Sequence, residues 1–160
     1  LRVKSCCSLV KVAPSSASFQ NLWSLSVSGC HQLIHLVTTS TAKSLVSLET
    51  LEINDCKRME EIVMSDTNED VQGGLTFNKL QEIKLTDMPS LKMFSPQSHT
   101  FEFPRLEEIE ISGCPEMKKF CPGVLKTPKL SKVKIEEHDL EWKDEKDLNK
   151  TMEGLSSVKV

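Results

Sequence analysis

Apolar residues along this chain fall into one recurring phrase, L-x-x-L-x-h-x-x-C followed by h-x-x-h, where h is apolar. It runs from Leu22 through Leu25 and Val27 to Cys30, and again from Leu48 through Leu51 and Ile53 to Cys56, with Met59 and Ile62 beyond. It returns from Leu80 (Ile83, Leu85, Met88, then Leu91 and Phe94) and from Leu106 (Ile109, Ile111, Cys114, then Met117 and Phe120). Leu1, Val3, Cys6, Leu9 and Val12 make an earlier copy, and Leu130, Val133 and Ile135 a last one with His138 in the cysteine slot. Each L-x-h triplet alternates, which predicts a short strand with one buried and one open face. Counted from Leu1, Leu25, Leu51, Ile83, Ile109 and Val133, the intervals are 24, 26, 32, 26 and 24 residues. A period of about 20–29 residues predicts a solenoid whose units bury their apolar faces against one another. Function is then expected on an extended surface rather than in a pocket.

Period and phrase together are those of leucine-rich repeats. The expected fold is an α/β leucine-rich-repeat horseshoe segment. Its parallel β-sheet lies on the concave face, and irregular turns and short helices lie on the convex face. Between strands, 39–47 predicts a short helix with Ala42, Leu45 and Val46 facing in. The long interval contains 65–76, polar, acidic and glycine-bearing, which predicts an exposed loop. Residues 95–100 predict a shorter one, and Ser15, Ser16, Ala17 and Ser18 a convex loop. Pro104, Pro115, Pro122 and Pro128 favour extended or turn backbone. Phe19, Phe77 and Phe103 each precede a strand leucine by the same offset and are expected in the core. After the last repeat, the helix-compatible spacing of Leu148, Met152 and Leu155 predicts a cap over the open end. The chain thus divides into repeats over 1–140 and a capping segment over 141–160.

The 160 residues carry a net charge of −3 and a sequence pI near 5.8, which gives no electrostatic case for nucleic-acid binding. No apolar run approaches the roughly 20 residues of a membrane span. Because Leu1 already stands inside a repeat, the chain is expected to be part of a longer protein. Cys6, Cys30, Cys56 and Cys114 share one template slot and are expected to stack as a column of reduced thiols, placing the protein in a reducing, cytoplasmic compartment. With Cys7 and Cys121 they make no C-x-x-C pair, so neither a disulfide framework nor a metal centre is expected.

The strand positions pointing away from the core form the candidate protein-binding face: Ser24, Ser26, Thr50, Glu52, Asn54, Glu82, Lys84, Glu108, Glu110, Lys132 and Lys134. Trp23 beside them is a candidate aromatic anchor, or a packing residue. The middle of the face reads as acidic (Glu52, Glu82, Glu108, Glu110), with Lys132 and Lys134 beyond. Such a patch steers a basic partner, and the same charges also keep a sheet face soluble. No catalytic set is legible. Glu60-Glu61 and Glu107-Glu108 are adjacent carboxylates without an evident pocket. His31, His35, His99 and His138 share no ligand spacing, and Cys30-His31 are chain neighbours that rarely face each other. Neither a cofactor nor an enzymatic activity is expected.

The F-x-x-L-x-x-L-x-h-x-x-C lines from Phe19 and Phe103, their near copy from Phe77, the Glu60-Glu61-Ile62-Val63 ending and the Trp142 tail carry a family likeness. In these the chain resembles the carboxy-terminal leucine-rich repeats of plant coiled-coil nucleotide-binding disease-resistance proteins. The resemblance implies the sensing end of an intracellular immune receptor, with a pathogen effector, a host protein under guard or the receptor's own nucleotide-binding domain as partner. The chain has no phosphate-binding G-x-x-x-x-G-K-[ST] loop of its own. The alternative is the substrate-recruiting repeat region of an F-box ubiquitin-ligase adaptor, which an upstream F-box would identify.

Overall fold

A computed structural model describes residues 1–6, 8–12, 18–65, 74–96, 98, 100–142 and 147–158. In chain order the elements are β1 (Arg2–Lys4), β2 (Ser24–Ser28), β3 (His35–Thr38), α1 (Thr39–Ser44), β4 (Thr50–Asn54), β5 (Glu61–Met64) and β6 (Leu75–Thr76). They continue with β7 (Glu82–Thr86), β8 (Phe101–Glu102), β9 (Glu108–Ser112), β10 (Leu125–Lys126), β11 (Lys132–Ile135), β12 (His138–Glu141) and α2 (Leu148–Val158).

Each of the six L-x-h triplets contributes a strand, and with β12 these form one seven-stranded sheet in the order β1-β2-β4-β7-β9-β11-β12. The pairing is parallel up to β11 and keeps the template register: Leu25, Leu51, Ile83, Ile109 and Val133 make one ladder, Val27, Ile53, Leu85, Ile111 and Ile135 the next. All ten side chains are buried, and each such burial stabilises by about 2 kcal/mol. The 32-residue interval leaves this register intact, because Leu51 still faces Ile83. A one-residue slip would put the apolar set on the open face, so the extra residues are accommodated outside the sheet.

The outer sides of the coils are more regular than turns and short helices alone. β6, β8 and β10 form a three-stranded sheet and β3 and β5 a two-stranded one, so the coils that begin with β2, β4, β7 and β9 repeat their hydrogen bonds at more than one corner. Leu75, expected in the acidic loop, is instead buried in β6; positions 66–73 of that loop lie outside the described residues. Ser95, expected in an exposed loop, is also buried, whereas 97 and 99 lie outside the description, as do 13–17 and Cys7. Phenylalanines fill the space behind the sheets. Phe77 and Phe103 stack at 5.2 Å, Phe94 and Phe120 stack at 4.6 Å, and Phe94 meets Phe103 edge-on at 6.0 Å. Phe77 and Phe103 are fully enclosed as expected; Phe19 is only half-buried.

The predicted helix is α1, capped by Thr38, whose hydroxyl accepts from Thr41 N at 3.4 Å. Ala42 and Leu45 face in, but Val46 is 40% exposed. The helix ends at Ser44 and Leu45 leaves helical geometry (φ −79, ψ 49), so Val46 no longer lies on the helical face.

One residue before each cysteine slot, the backbone turns left-handed: Ser5, Gly29, Asp55, Asp87 and Gly113 all have φ between 51° and 67°. Glycine suffers no Cβ clash there, and aspartate tolerates it better than most. The turn tucks Cys30, Cys56 and Cys114 into the core, each thiol donating to the carbonyl two residues earlier (Ser28, Asn54, Ser112) at 3.5 Å. Cys6 makes the same bond to Lys4 but is exposed. It belongs to the edge coil, so only one neighbour covers it. Burial raises the Cys56 and Cys121 thiols and pushes Cys114 up to about 12.

Within the stack, each coil's N–H groups donate to the next coil's carbonyls: Gly29 to Asn54, Asp55 to Thr86, Asp87 to Ser112. Beyond its pairing with β11, the coil that begins with β9 finds side chains in place of the next coil's carbonyls. Glu136 accepts from Gly113 N (3.0 Å) and Cys114 N (3.2 Å). Asn149 Oδ1 on α2 accepts from Phe120 N (2.8 Å) and Cys121 N (3.0 Å), just as Phe94 O accepts from Ile62 N and Val63 N two coils earlier. The sheet itself closes with a reversal. The chain turns at Glu136 (φ 56) and returns as β12, antiparallel to β11, so His138 sits in a strand rather than in a cysteine-type turn. Trp142, Leu148 and Met152 join the core behind it.

Two outcomes test this account. Asn149→Ala leaves two core N–H groups without an acceptor and should lower the unfolding free energy by about 2–3 kcal/mol, read from urea denaturation. At pH 8 a thiol alkylating agent should label Cys6 rapidly, whereas Cys30, Cys56, Cys114 and Cys121 should react only after denaturation, as peptide mass mapping would show.

Candidate protein-binding face

Strand alternation sends Ser24, Ser26, Thr50, Glu52, Asn54, Glu82, Lys84, Glu108, Glu110, Lys132 and Lys134 to one open face, as expected from the template. Register then arranges them in rows that cross the strands. One row is Ser24, Thr50, Glu82, Glu108, Lys132; the next is Arg2, Ser26, Glu52, Lys84, Glu110, Lys134, Asp139; a third is Lys4, Ser28, Asn54, Thr86, Ser112. The small residues near β2 and β4 are tied together by hydroxyl bonds. Thr50 Oγ1 donates to Ser24 Oγ, and Thr86 Oγ1 donates to Asn54 Oδ1, each at 2.9 Å.

The acidic middle is less uniform than the order of residues along the chain suggests. Lys84 stands inside it, with its ammonium 3.6 Å from Glu110 and 3.9 Å from Glu82. Glu110, then Glu82 and Glu52, hold the Lys84 proton above the ordinary ammonium range, against the smaller opposing effect of burial. Pairs this exposed contribute no more than about 1 kcal/mol each, so Lys84 sets charge pattern more than stability. Row order places Glu82 directly opposite Glu108, an unfavourable like-charge juxtaposition.

Trp23 precedes β2 and is 65% exposed, so it is not a core residue. Its carbonyl accepts from Glu49 N (2.8 Å) and Thr50 N (3.2 Å), which fixes the backbone at the rim of the face while leaving the indole in solvent. Arg2 and Asp139 were not among the expected face residues. The template extended to the first copy would have located Arg2. Asp139 reaches the row only through the hairpin reversal, which has no counterpart in the repeat phrase.

The other candidate chemistry disperses. Glu60 pairs with Lys92 at 3.4 Å, and the half-buried Glu61 is raised chiefly by burial and then by Glu60. His35 is the register partner of Glu61 on β3, and burial followed by the Lys11 charge lowers its pKa. His31 Nε2 lies 4.0 Å from Asp55 rather than against Cys30, whose thiol is buried and donates to Ser28. Among the described residues, no group of three or more His, Cys, Asp or Glu side chains converges in a way that would hold a metal ion. No described helix is long and apolar enough to cross a membrane. What remains is an extended polar face on a rigid sheet, suited to contact with another macromolecule.

A family model for the leucine-rich repeats of plant disease resistance proteins, RPS2-like, matches residues 2–139. No curated protein and no solved structure matches the chain. The matched span covers the strands of the parallel sheet from β1 through β11. The chain therefore belongs to the RPS2-like leucine-rich-repeat family of plant disease resistance proteins.

Proposed function

We propose that this chain is a non-catalytic recognition module of a plant intracellular immune receptor of the coiled-coil nucleotide-binding type, working in the cytoplasm. The observation that carries the reading is the in-register open face. It is an extended polar sheet surface, charged from β4 to β12 and rimmed by an exposed tryptophan. The partner is a protein: a pathogen effector, a modified host protein, or the receptor's own nucleotide-binding domain. The repeats over 1–140 supply the face. The segment over 141–160 acts as a cap, a role supported by the Asn149 and Trp142 contacts with the last coils. An F-box adaptor would share the repeat architecture, but the family match is to resistance proteins.

The mechanism is differential binding. A face that contacts one partner in the resting receptor and another in the active one shifts the equilibrium by the difference between those affinities. Charged contacts at an interface set specificity and association rate, so reversing them disturbs partner choice without disturbing the core. The triple variant Glu82→Lys, Glu108→Lys, Glu110→Lys, placed in the full-length receptor, is expected to change autoactivity or effector response while accumulating to the normal level. Unaltered signalling from a normally accumulating triple variant would sink the assignment of this face.

A further inference from the structure

Charge along the chain is lopsided. Residues 1–48 carry Arg2, Lys4, Lys11 and Lys43 without a single Asp or Glu, so the chain's net −3 leaves −7 on 49–160. Two of those cations stand on the open face. Arg2 and Lys4 on β1 are exposed and form no ion pair among the described residues. Register gives the reason. Lys4 lies beside Ser28, and its row runs on through Asn54, Thr86 and Ser112 without a carboxylate. Arg2 lies beside Ser26; the nearest carboxylate of its row is Glu52, two strands away, whose own register partner is Lys84. Side-chain size marks the same place. β2 presents only Ser24, Ser26 and Ser28 to the open face, a lane of short hydroxyls between Arg2 and Lys4 on one side and Glu52 on the other. Trp23, 65% exposed, stands at its end. A strand stacked beside β1 would leave the lane open, because alternation along β1 alone fixes the face on which Arg2 and Lys4 stand.

We propose that this lane docks an extended protein segment of acidic–x–acidic sequence, lying along β2 with its carboxylates against Arg2 and Lys4. The spacing supports this occupant. Arg2 and Lys4 are two residues apart on one strand, about 6.7 Å, which is also the repeat of same-side residues in an extended segment. The serines admit a backbone that longer side chains would hold off, and their hydroxyls can donate to carboxylate oxygens. Glu52 repels a carboxylate displaced toward β4, which sets the segment's lateral position. A basic segment would meet both cations of β1. Nucleic acid, the other polyanion that such cations attract, is disfavoured by the net negative charge of the remaining coils. The proposal rests on the open face being the recognition surface and names the charge and form of what its amino-terminal side receives.

The test is an NMR titration, through backbone amides and indole N–H groups, of the 160-residue chain with the capped peptide Gly-Ser-Thr-Glu-Thr-Glu-Thr-Ser-Gly at low salt. The Gln-Thr-Gln and Lys-Thr-Lys counterparts and a single-stranded DNA of the same number of units serve as comparisons. Shifts should concentrate on β1 and β2 and reach the Trp23 indole, leaving that of the buried Trp142 in place. The Glu peptide should bind about tenfold more tightly than the Gln peptide, and the Lys peptide least. Arg2→Gln with Lys4→Gln should erase that preference, whereas Lys43→Gln on α1 should keep it. Ser26→Leu, which fills the lane and leaves every charge in place, should erase it too. Equal binding of the Glu and Gln peptides, shifts centred away from β1 and β2, or a preference surviving both the β1 pair and Ser26→Leu would overturn the proposal. Tighter binding of the DNA than of the Glu peptide would overturn it as well. If these appear while the Glu82, Glu108, Glu110 triple variant still alters signalling, the recognition surface stands and only the acidic segment fails.

Discussion

The architecture depends on backbone hydrogen bonds passed from each coil to the next. A buried N–H left without an acceptor costs about 1–3 kcal/mol, and every coil here exposes several toward its neighbour. The bonds from Gly29 to Asn54, Asp55 to Thr86 and Asp87 to Ser112 repeat one motif at one template slot. The left-handed residue at that slot makes the repetition possible, because it turns the chain out of the strand and presents its N–H along the stack. The apolar ladders supply most of the favourable energy, yet it is the hydrogen-bond chain that dictates where each ladder residue must stand.

A chain of donors and acceptors has to end somewhere. At the carboxy-terminal end three devices terminate it together: the antiparallel β12, the Glu136 carboxylate and the Asn149 amide. β12 partners β11, while Glu136 and Asn149 supply acceptors to the coil that begins with β9. Because both side chains imitate a carbonyl, the last parallel coil retains the geometry of the interior ones. The charged rows continue to β11 and, through the hairpin, to Asp139 on β12.

The same regularity makes the open face an ordered array of side chains. Side chains at equivalent slots stand at fixed intervals, so charge can be varied slot by slot without cost to the core. Lys84 shows the consequence. Along the chain it is one lysine between glutamates; in the sheet it is the cation whose proton Glu110, Glu82 and Glu52 all help to hold. The face is therefore an ordered charge pattern more than an acidic patch, and pattern is what distinguishes one protein partner from another.

Much of this was readable from the residues alone. The strands, the buried ladders, the cysteine slot, the short helix and the membership of the open face follow from periodicity, because in a solenoid local alternation and global burial are the same constraint. Gly29, Asp55, Asp87 and Gly113, each one residue before the cysteine slot, are residue types that tolerate the left-handed turn, whereas Ser5 makes the same turn in the first copy with no such signal. Other features depended on which residues become neighbours. Register across the long interval, the pairing of Lys84, the Glu82–Glu108 opposition and the exposure of Cys6 are properties of adjacent coils; the period says which coils adjoin, but the contacts their side chains make are set in the assembled stack. The return of β12, the burial of Leu75 and the roles of Glu136 and Asn149 lie where the repeat phrase lapses. There, unsatisfied backbone groups in the finished stack decide which side chains are recruited, and only the tertiary structure contains those groups.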